Sequence, residues 1–363
     1  MTARLSCFHV ELPFKTPFTT SFATETTRSA LIFRLEANEV AAYSECVTGD
    51  NPYYSYEDNH TALHIIETHL AKIVCGLPEP KEFLKLSEHV KGHNMAKAAM
   101  EMLLWDYHCK KRGEPLHKAL GESRGHADVG ISIGMDDPNK MVQRVADALK
   151  RGYKRIKVKI EKGRELEILG AIRDAYPEVP LSADANTDYR IGDLELLKKL
   201  DRFNLVYLEQ PLQHDDLIDH AKLRKEMSTP ICLDESITST DRARQAFEIG
   251  AADVVNIKPG RVGGLTESLE IAEVSRRNGG HVWIGGMLET GVGRSFNVAL
   301  ASHMLIDYPG DTSPNDKYFQ RDIVKNPFTM EDGIIRPNSG AGIGVEIDHE
   351  YLNQVTVEAK RIA

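Results

Sequence analysis

Between residues 155 and 258 the chain reads RIKVKI (155–160), LSAD (181–184), VYLE (206–209), ICLD (231–234) and VVNIK (254–258), five short β-branched runs that each close at or beside an ionisable residue. Lys159, Asp184, Glu209 and Asp234 follow one another at intervals of 25 positions, and Lys258 comes 24 after that. An interval of this length is about one strand plus one helix. Helix-like stretches with apolar residues three and four apart fill the gaps at 165–175 and 193–200. Strands alternating with helices require crossover connections and a parallel sheet. In a closed (β/α)8 barrel every strand ends on the same face, so equal spacing along the chain becomes a ring of side chains around one mouth.

Working outward, further strand candidates lie at 130–134 (GISIG) and 281–284 (HVWI), with helical patterns at 139–150 and 265–277. An eighth strand near 307–311 is the least distinct. The expected fold class is therefore α/β, a (β/α)8-type barrel spanning 122–315. The remainder has a different texture. Strand-like runs at 4–12 and 30–35 precede helical patterns at 55–72 and 95–112, which marks 1–121 as an α+β capping domain. The closing segment, 316–363, is expected to complete it, because chain ends often pack on an earlier domain.

Asp184, Glu209 and Asp234 each end an apolar run, where a buried acid needs a partner. Carboxylates without histidine or cysteine form the hard oxygen donor set that suits Mg2+, with Mn2+ as an alternative, rather than zinc. Such a cation can accept both oxygens of a substrate carboxylate and offset the second negative charge that appears when the neighbouring carbon loses a proton. Lys157 and Lys159 on the second strand and Lys258 on the sixth would stand on opposite sides of the ring. They are the candidate proton carriers, one facing each side of the substrate's α-carbon. Lysine is normally protonated, but nearby positive charge from the metal, Lys157 or Arg261 favours its neutral form. Asn186 either donates to a bound carboxylate or makes an Asx turn. Glu235 either orients Lys258 or a metal ligand, or begins a helix.

The 363 residues carry a net charge of -9, with 41% hydrophobic and 27% charged residues. That composition describes a compact globular chain without general affinity for nucleic acid or anionic membranes. Five scattered cysteines without a CxxC pair suggest neither a disulfide framework nor a thiolate zinc site, and point to a reducing cytoplasm. No signal-peptide-like or membrane-spanning apolar run is expected. His60 and His64 lack an HExxH pattern, and the glycines of 291–293 and 340–344 do not complete a dinucleotide fingerprint.

The motifs KVK (157–159), DAN (184–186), EQP (209–211), LDES (233–236) and NIKPGRVGG (256–264), in that order, resemble the enolase superfamily, muconate lactonizing subgroup. GHNMAKAAMEM (92–102), GGMLETGVGR (285–294) and PGDTS (309–313) are similar to its o-succinylbenzoate synthase and N-succinylamino acid racemase family. The resemblance implies a modified (β/α)7β barrel, magnesium at Asp184, Glu209 and Asp234, and Lys159 with Lys258 as the acid/base pair. It also implies a small carboxylate substrate, and homo-oligomeric assembly is expected. Two reactions come with it: dehydration by a lyase on the menaquinone route, and racemisation of N-acylamino acids by an isomerase. Arg261 resembles the racemase-capable branch. Dipeptide epimerases of the superfamily usually carry a DxD near the eighth strand, whereas this segment reads GDTSPND (310–316). Phe18 and Phe22 of PFTTSF (17–22) and Tyr54 are expected as apolar walls from the cap. Ser132 and Met287 complete the substrate-side candidates. Gly49 stands where a bulky loop residue is usual, which leaves room for substrate.

Overall fold

The computed structural model describes residues 3–19 and 24–363. Seven parallel strands form one curled sheet in sequence order: Gly130–Ile133, Arg155–Lys159, Leu181–Asp184, Leu208–Glu209, Ile231–Leu233, Val254–Ile257 and His281–Ile284. Most of their side chains, inward and outward, are buried, as expected for a sheet covered by crossover helices. The run at 206–209 pairs over only its last two residues, and the helical pattern at 193–200 divides into Leu194–Leu197 and a tighter 3-10 turn, Lys198–Phe203.

The eighth position is filled by 307–311, which bonds to both neighbours without forming a regular strand. Tyr308 and Asp311 donate to the carbonyls of Val282 and Ile284, at 3.1 and 2.9 Å. On the other side Gly310 donates to Asp128 and its carbonyl accepts from Gly130, at 3.1 and 2.8 Å. A Cβ at Gly310 would stand 2.6 Å from the Ile284 carbonyl oxygen, so only glycine permits this closure. The run DYPGD lacks β-branched residues, which is why it reads so faintly as a strand.

The second body is a four-stranded antiparallel sheet in the order Thr356–Arg361, Arg4–Thr19, Thr24–Ala37, Val40–Cys46. The last strand of the chain thus pairs with the first, Cys7 opposite Lys360. The helix Asn94–Arg112 packs on this sheet, placing Met95, Ala99, Leu103 and Tyr107 against Phe33, Leu35 and Val74 in a core separate from the barrel's. The earlier helical pattern begins later than its periodicity suggests, at Asn59, where Asp58 accepts from the Thr61 amide and caps the end. Residues 50–58 are left as a loop that reaches the barrel mouth.

Two buried cap carboxylates tie the bodies together. Glu101 accepts from the amides of Leu265 and Thr266, capping the helix Leu265–Arg277. Gly264 makes this contact possible: its φ is +122°, and a Cβ there would collide with the Glu101 carboxylate. Glu45 does the same for the helix Gly291–Ala301, accepting from Thr290 and Gly293 amides at 3.0 and 3.1 Å. Among the described residues no helix is long and apolar enough to cross a membrane.

Candidate active site

Strand register converts the sequence interval into a lateral row. Lys159 lies opposite Asp184, Asp184 opposite Glu209, and Glu209 opposite Cys232, two residues before Asp234. The three acids are at most 2% exposed, so each requires partners, and lysines or an arginine supply them. Lys159 Nζ donates to Asp184 Oδ2 at 2.7 Å and to Asn186 Oδ1 at 2.5 Å. Lys157 Nζ lies 2.8 Å from Glu209 Oε2, 3.3 Å from Asp184 Oδ2 and 3.0 Å from Asp311 Oδ2, above the Trp283 ring. Across the row Lys258 Nζ donates to Asp234 Oδ2 at 2.8 Å, and Arg261 grips the other oxygen of the same carboxylate. Asn256 completes the row by donating to Glu209 Oε1 at 2.9 Å.

These contacts set the protonation balance. Burial first, then the charges of Asp184 and Asp234, pushes Glu209 up to about 7, although Lys157 opposes them. Asp234 is held at about 2: burial raises it, but Lys258 and Arg261 more than offset that. For Lys258 burial disfavours the charge and Arg261 disfavours it further, while Asp234 raises its proton affinity enough to leave the net shift upward. Arg261 therefore acts on Lys258 in the direction the sequence suggests, but the Asp234 carboxylate outweighs it. Lys157 is shifted well above the ordinary lysine value, against burial, by Asp311, Glu209 and Asp184. Enclosed by three acids, it is suited to balancing charge.

The supporting candidates fall close by. Both readings of Asn186 are realised in part. Its amide donates to Asp184 Oδ1 at 3.1 Å in an Asx turn at φ 41°, and its side chain links Lys159 to Glu235, 3.4 Å from Glu235 Oε1. Glu235 lies in a turn before the helix Thr240–Glu248, which it does not begin, and burial with the adjacent Asp234 charge pushes it up to about 8. Tyr54 does more than form a wall. Its hydroxyl accepts from Lys258 at 3.0 Å and Arg261 at 3.1 Å, and Lys258 sits 4.6 Å from its ring centre. Ser132, Met287 and Gly49 line the cavity over the lysines, and a Cβ at Gly49 would meet nothing within 4 Å. The Phe18 side chain and all of Phe22 lie outside the described residues.

Sequence reasoning missed Asp311, Asn256 and Arg155. Asp311 holds Lys157 from the eighth position and takes a 2.8 Å hydrogen bond from Arg155 Nη2. The signal available was an acid ending the faint eighth run. Its first aspartate occupies the DxD region, yet here it faces lysine and arginine.

The donor chemistry fits a divalent cation: the buried Asp184 and Asp234 raise the proton affinity of Glu209 between them, and Asp234 opposes the charge of Asp184, which a shared positive charge would relieve. As placed, however, their oxygens turn towards ammonium and guanidinium groups. Among the described residues no three acids, histidines or cysteines form a ready-made metal cluster. A cation on these acids would compete with Lys159 and Lys258 for the same carboxylates.

Comparison with known proteins agrees with this architecture. The family described as "Enolase C-terminal domain-like" matches residues 140–351, and "Mandelate racemase / muconate lactonizing enzyme, N-terminal domain" matches residues 2–121. The o-succinylbenzoate synthase of Bacillus subtilis is 39% identical over 354 residues, covering 97% of this chain and 95% of that protein. The N-succinylamino acid racemase of Thermus thermophilus is 41% identical over 351 residues, covering 96% and 95%. A crystal structure of an enolase superfamily member from Listeria innocua superposes with a TM-score of 0.96 at 35% identity, covering 99% of this chain and 98% of that one.

Proposed function

The chain belongs to the enolase superfamily, and from that premise we propose that it is a magnesium-dependent o-succinylbenzoate synthase that also racemises N-succinylamino acids. The observation that carries this reading is the position of Lys159 and Lys258 at opposite ends of one carboxylate row, each on its own acid. Relatives bearing each of the two names match nearly the whole chain at similar identity, which supports both activities at one site.

In this reading Asp184, Glu209 and Asp234 would hold magnesium, which would supply a Lewis acid for the substrate carboxylate and the negative charge that develops beside it. Lys159, freed from Asp184, takes the α-proton of 2-succinyl-6-hydroxy-2,4-cyclohexadiene-1-carboxylate. The same nitrogen then returns that proton to the departing hydroxyl on the same face, so that water leaves and the ring becomes aromatic. Lys258 remains an ammonium throughout and steadies the developing negative charge from the other side. With an N-succinylamino acid there is no leaving hydroxyl. Lys159 removes the proton from one face and Lys258 delivers one to the other, inverting the centre. Lys157 stays charged between Glu209, Asp184 and Asp311. Asn186 and Tyr54 orient Lys159 and Lys258, and the cap keeps water from the carbanion.

Arg261 favours racemisation as the alternative main activity. It is the group that lowers the proton affinity of Lys258, and only racemisation needs Lys258 to give up its proton. Incubating the protein with Mg2+ and each substrate in D2O, while following α-deuteration and water loss, tests the reading. Rapid dehydration supports the synthase, exchange with inversion supports the racemase, and absence of both overturns the proposal.

A further inference from the structure

The cavity over the lysines is also lined by Arg28, on the cap strand Thr24–Ala37. Arg28 is only 5% exposed, yet its Nε and Nη2 have no hydrogen-bond partner among the described residues. The nearest carboxylate oxygen, Glu45 Oε1, is 3.8 Å from Nη2, outside hydrogen-bond reach, and is itself unpartnered. Glu45 Oε2 is already taken by Thr290 and Gly293. A buried guanidinium with idle donors is costly unless something accepts from it. The other cations lining the cavity, Lys157, Lys159 and Lys258, all have carboxylate partners.

We propose that Arg28 receives the second carboxylate of the substrate, the terminal group of its succinyl arm, while the first lies on the carboxylate row. The inference rests on the proposed function, because it needs a substrate with two carboxylates separated by a short acyl chain. A planar fork of donors matches a carboxylate in a way that an ammonium does not. Open space at Gly49 and the polar Asn51, which lines the same cavity, make room for such an arm. Glu25 on the same strand also lines the cavity but is exposed, where solvent screens its charge. Arg28 is thus assigned as a specificity-determining residue that reads the acyl group.

The test compares Mg2+-loaded wild type with Arg28→Met and Arg28→Lys, using o-succinylbenzoate and 2-butanoylbenzoate. These ligands differ only in that a methyl group replaces the terminal carboxylate. Calorimetry on wild type should give tighter binding of the dicarboxylate by roughly tenfold to a hundredfold, the range of a charge-assisted hydrogen bond. Arg28→Met should erase that preference, and Arg28→Lys should keep part of it. Equal weakening of both ligands would mean that Arg28 only props Glu45, and an unchanged preference in Arg28→Met, or none in wild type, would also overturn the assignment. Should Met prevent folding, the Lys variant decides alone, since its preference must fall below that of wild type. A wild type that shows the preference but neither dehydrates nor racemises would sink the reaction assignment and leave the Arg28 assignment standing.

Discussion

Lys258 Nζ lies 2.8 Å from Asp234 Oδ2, so a residue proposed to carry protons is bonded to one proposed to hold a cation. The same duality joins Lys159 to Asp184. Cation and lysine share a carboxylate, and occupation of the row by Mg2+ would release both lysines towards the substrate.

Magnesium should stabilise the fold measurably without any substrate. At a hundredfold excess over its Kd a specifically bound ion adds about 2.7 kcal/mol, which a thermal melt will register. Glu209→Gln should weaken Mg2+ binding by about a hundredfold or more, because it removes a ligand charge at the centre of the row. Calorimetric titration checks this, and unchanged affinity would show that the ion binds elsewhere.

Arg261→Gln should slow racemisation more than dehydration, by roughly tenfold in their ratio, because the positive charge that disfavours protonation of Lys258 is removed. Arg261 lowers the proton affinity of Lys258, and dehydration needs that lysine only as a cation. Paired kcat measurements on the two substrates provide the test, and equal losses would mean that Arg261 merely supports Asp234 and Tyr54.

Tyr54→Phe should lower kcat more than it raises KM, by about tenfold, since the hydroxyl that positions Lys258 is lost while the ring remains. A change confined to KM would instead leave Tyr54 as the apolar wall anticipated from sequence.

Glu45 gives a pH-dependent stability. Burial first, with Glu289 adding, raises its carboxyl from 4.5 to about 7 despite Arg28. The folded protein therefore keeps a proton that the unfolded chain has released. This contribution is full below pH 4.5 and is lost as pH rises towards 7, amounting to about 3 kcal/mol. Glu45→Gln keeps an acceptor for Thr290 and Gly293 but cannot ionise. Denaturant titrations from pH 5 to pH 7.5 should show wild type losing stability relative to the variant, and parallel curves would contradict the assignment.

The barrel was legible because its strands are buried on both faces, so each reads as an apolar run, and because regular βα units space their ends evenly. Asp184 and Glu209 could be placed on one row from that interval alone. The closure at 307–311 was legible only as the faintest strand, because its backbone is held by Ile284 and Asp128 while its own side chains carry no strand pattern. Arg28 and Asp311 escaped for a related reason, and Tyr54 was legible only as an apolar wall. Their importance comes from contacts across 204 residues, in the case of Tyr54 with Lys258, and no local periodicity records such a contact. Gly264 looked like part of a motif, but its necessity lies in the cap carboxylate of Glu101 pressed against it.

The central claim is that two lysines address opposite faces of one carbon, and single-lysine variants in D2O test it most directly. With Mg2+ and each enantiomer of an N-succinylamino acid, Lys159→Ala should still deuterate the α-carbon of one enantiomer, and Lys258→Ala that of the other, with neither variant inverting the centre. If both variants exchange the same enantiomer, or either still racemises, the two-faced arrangement is wrong.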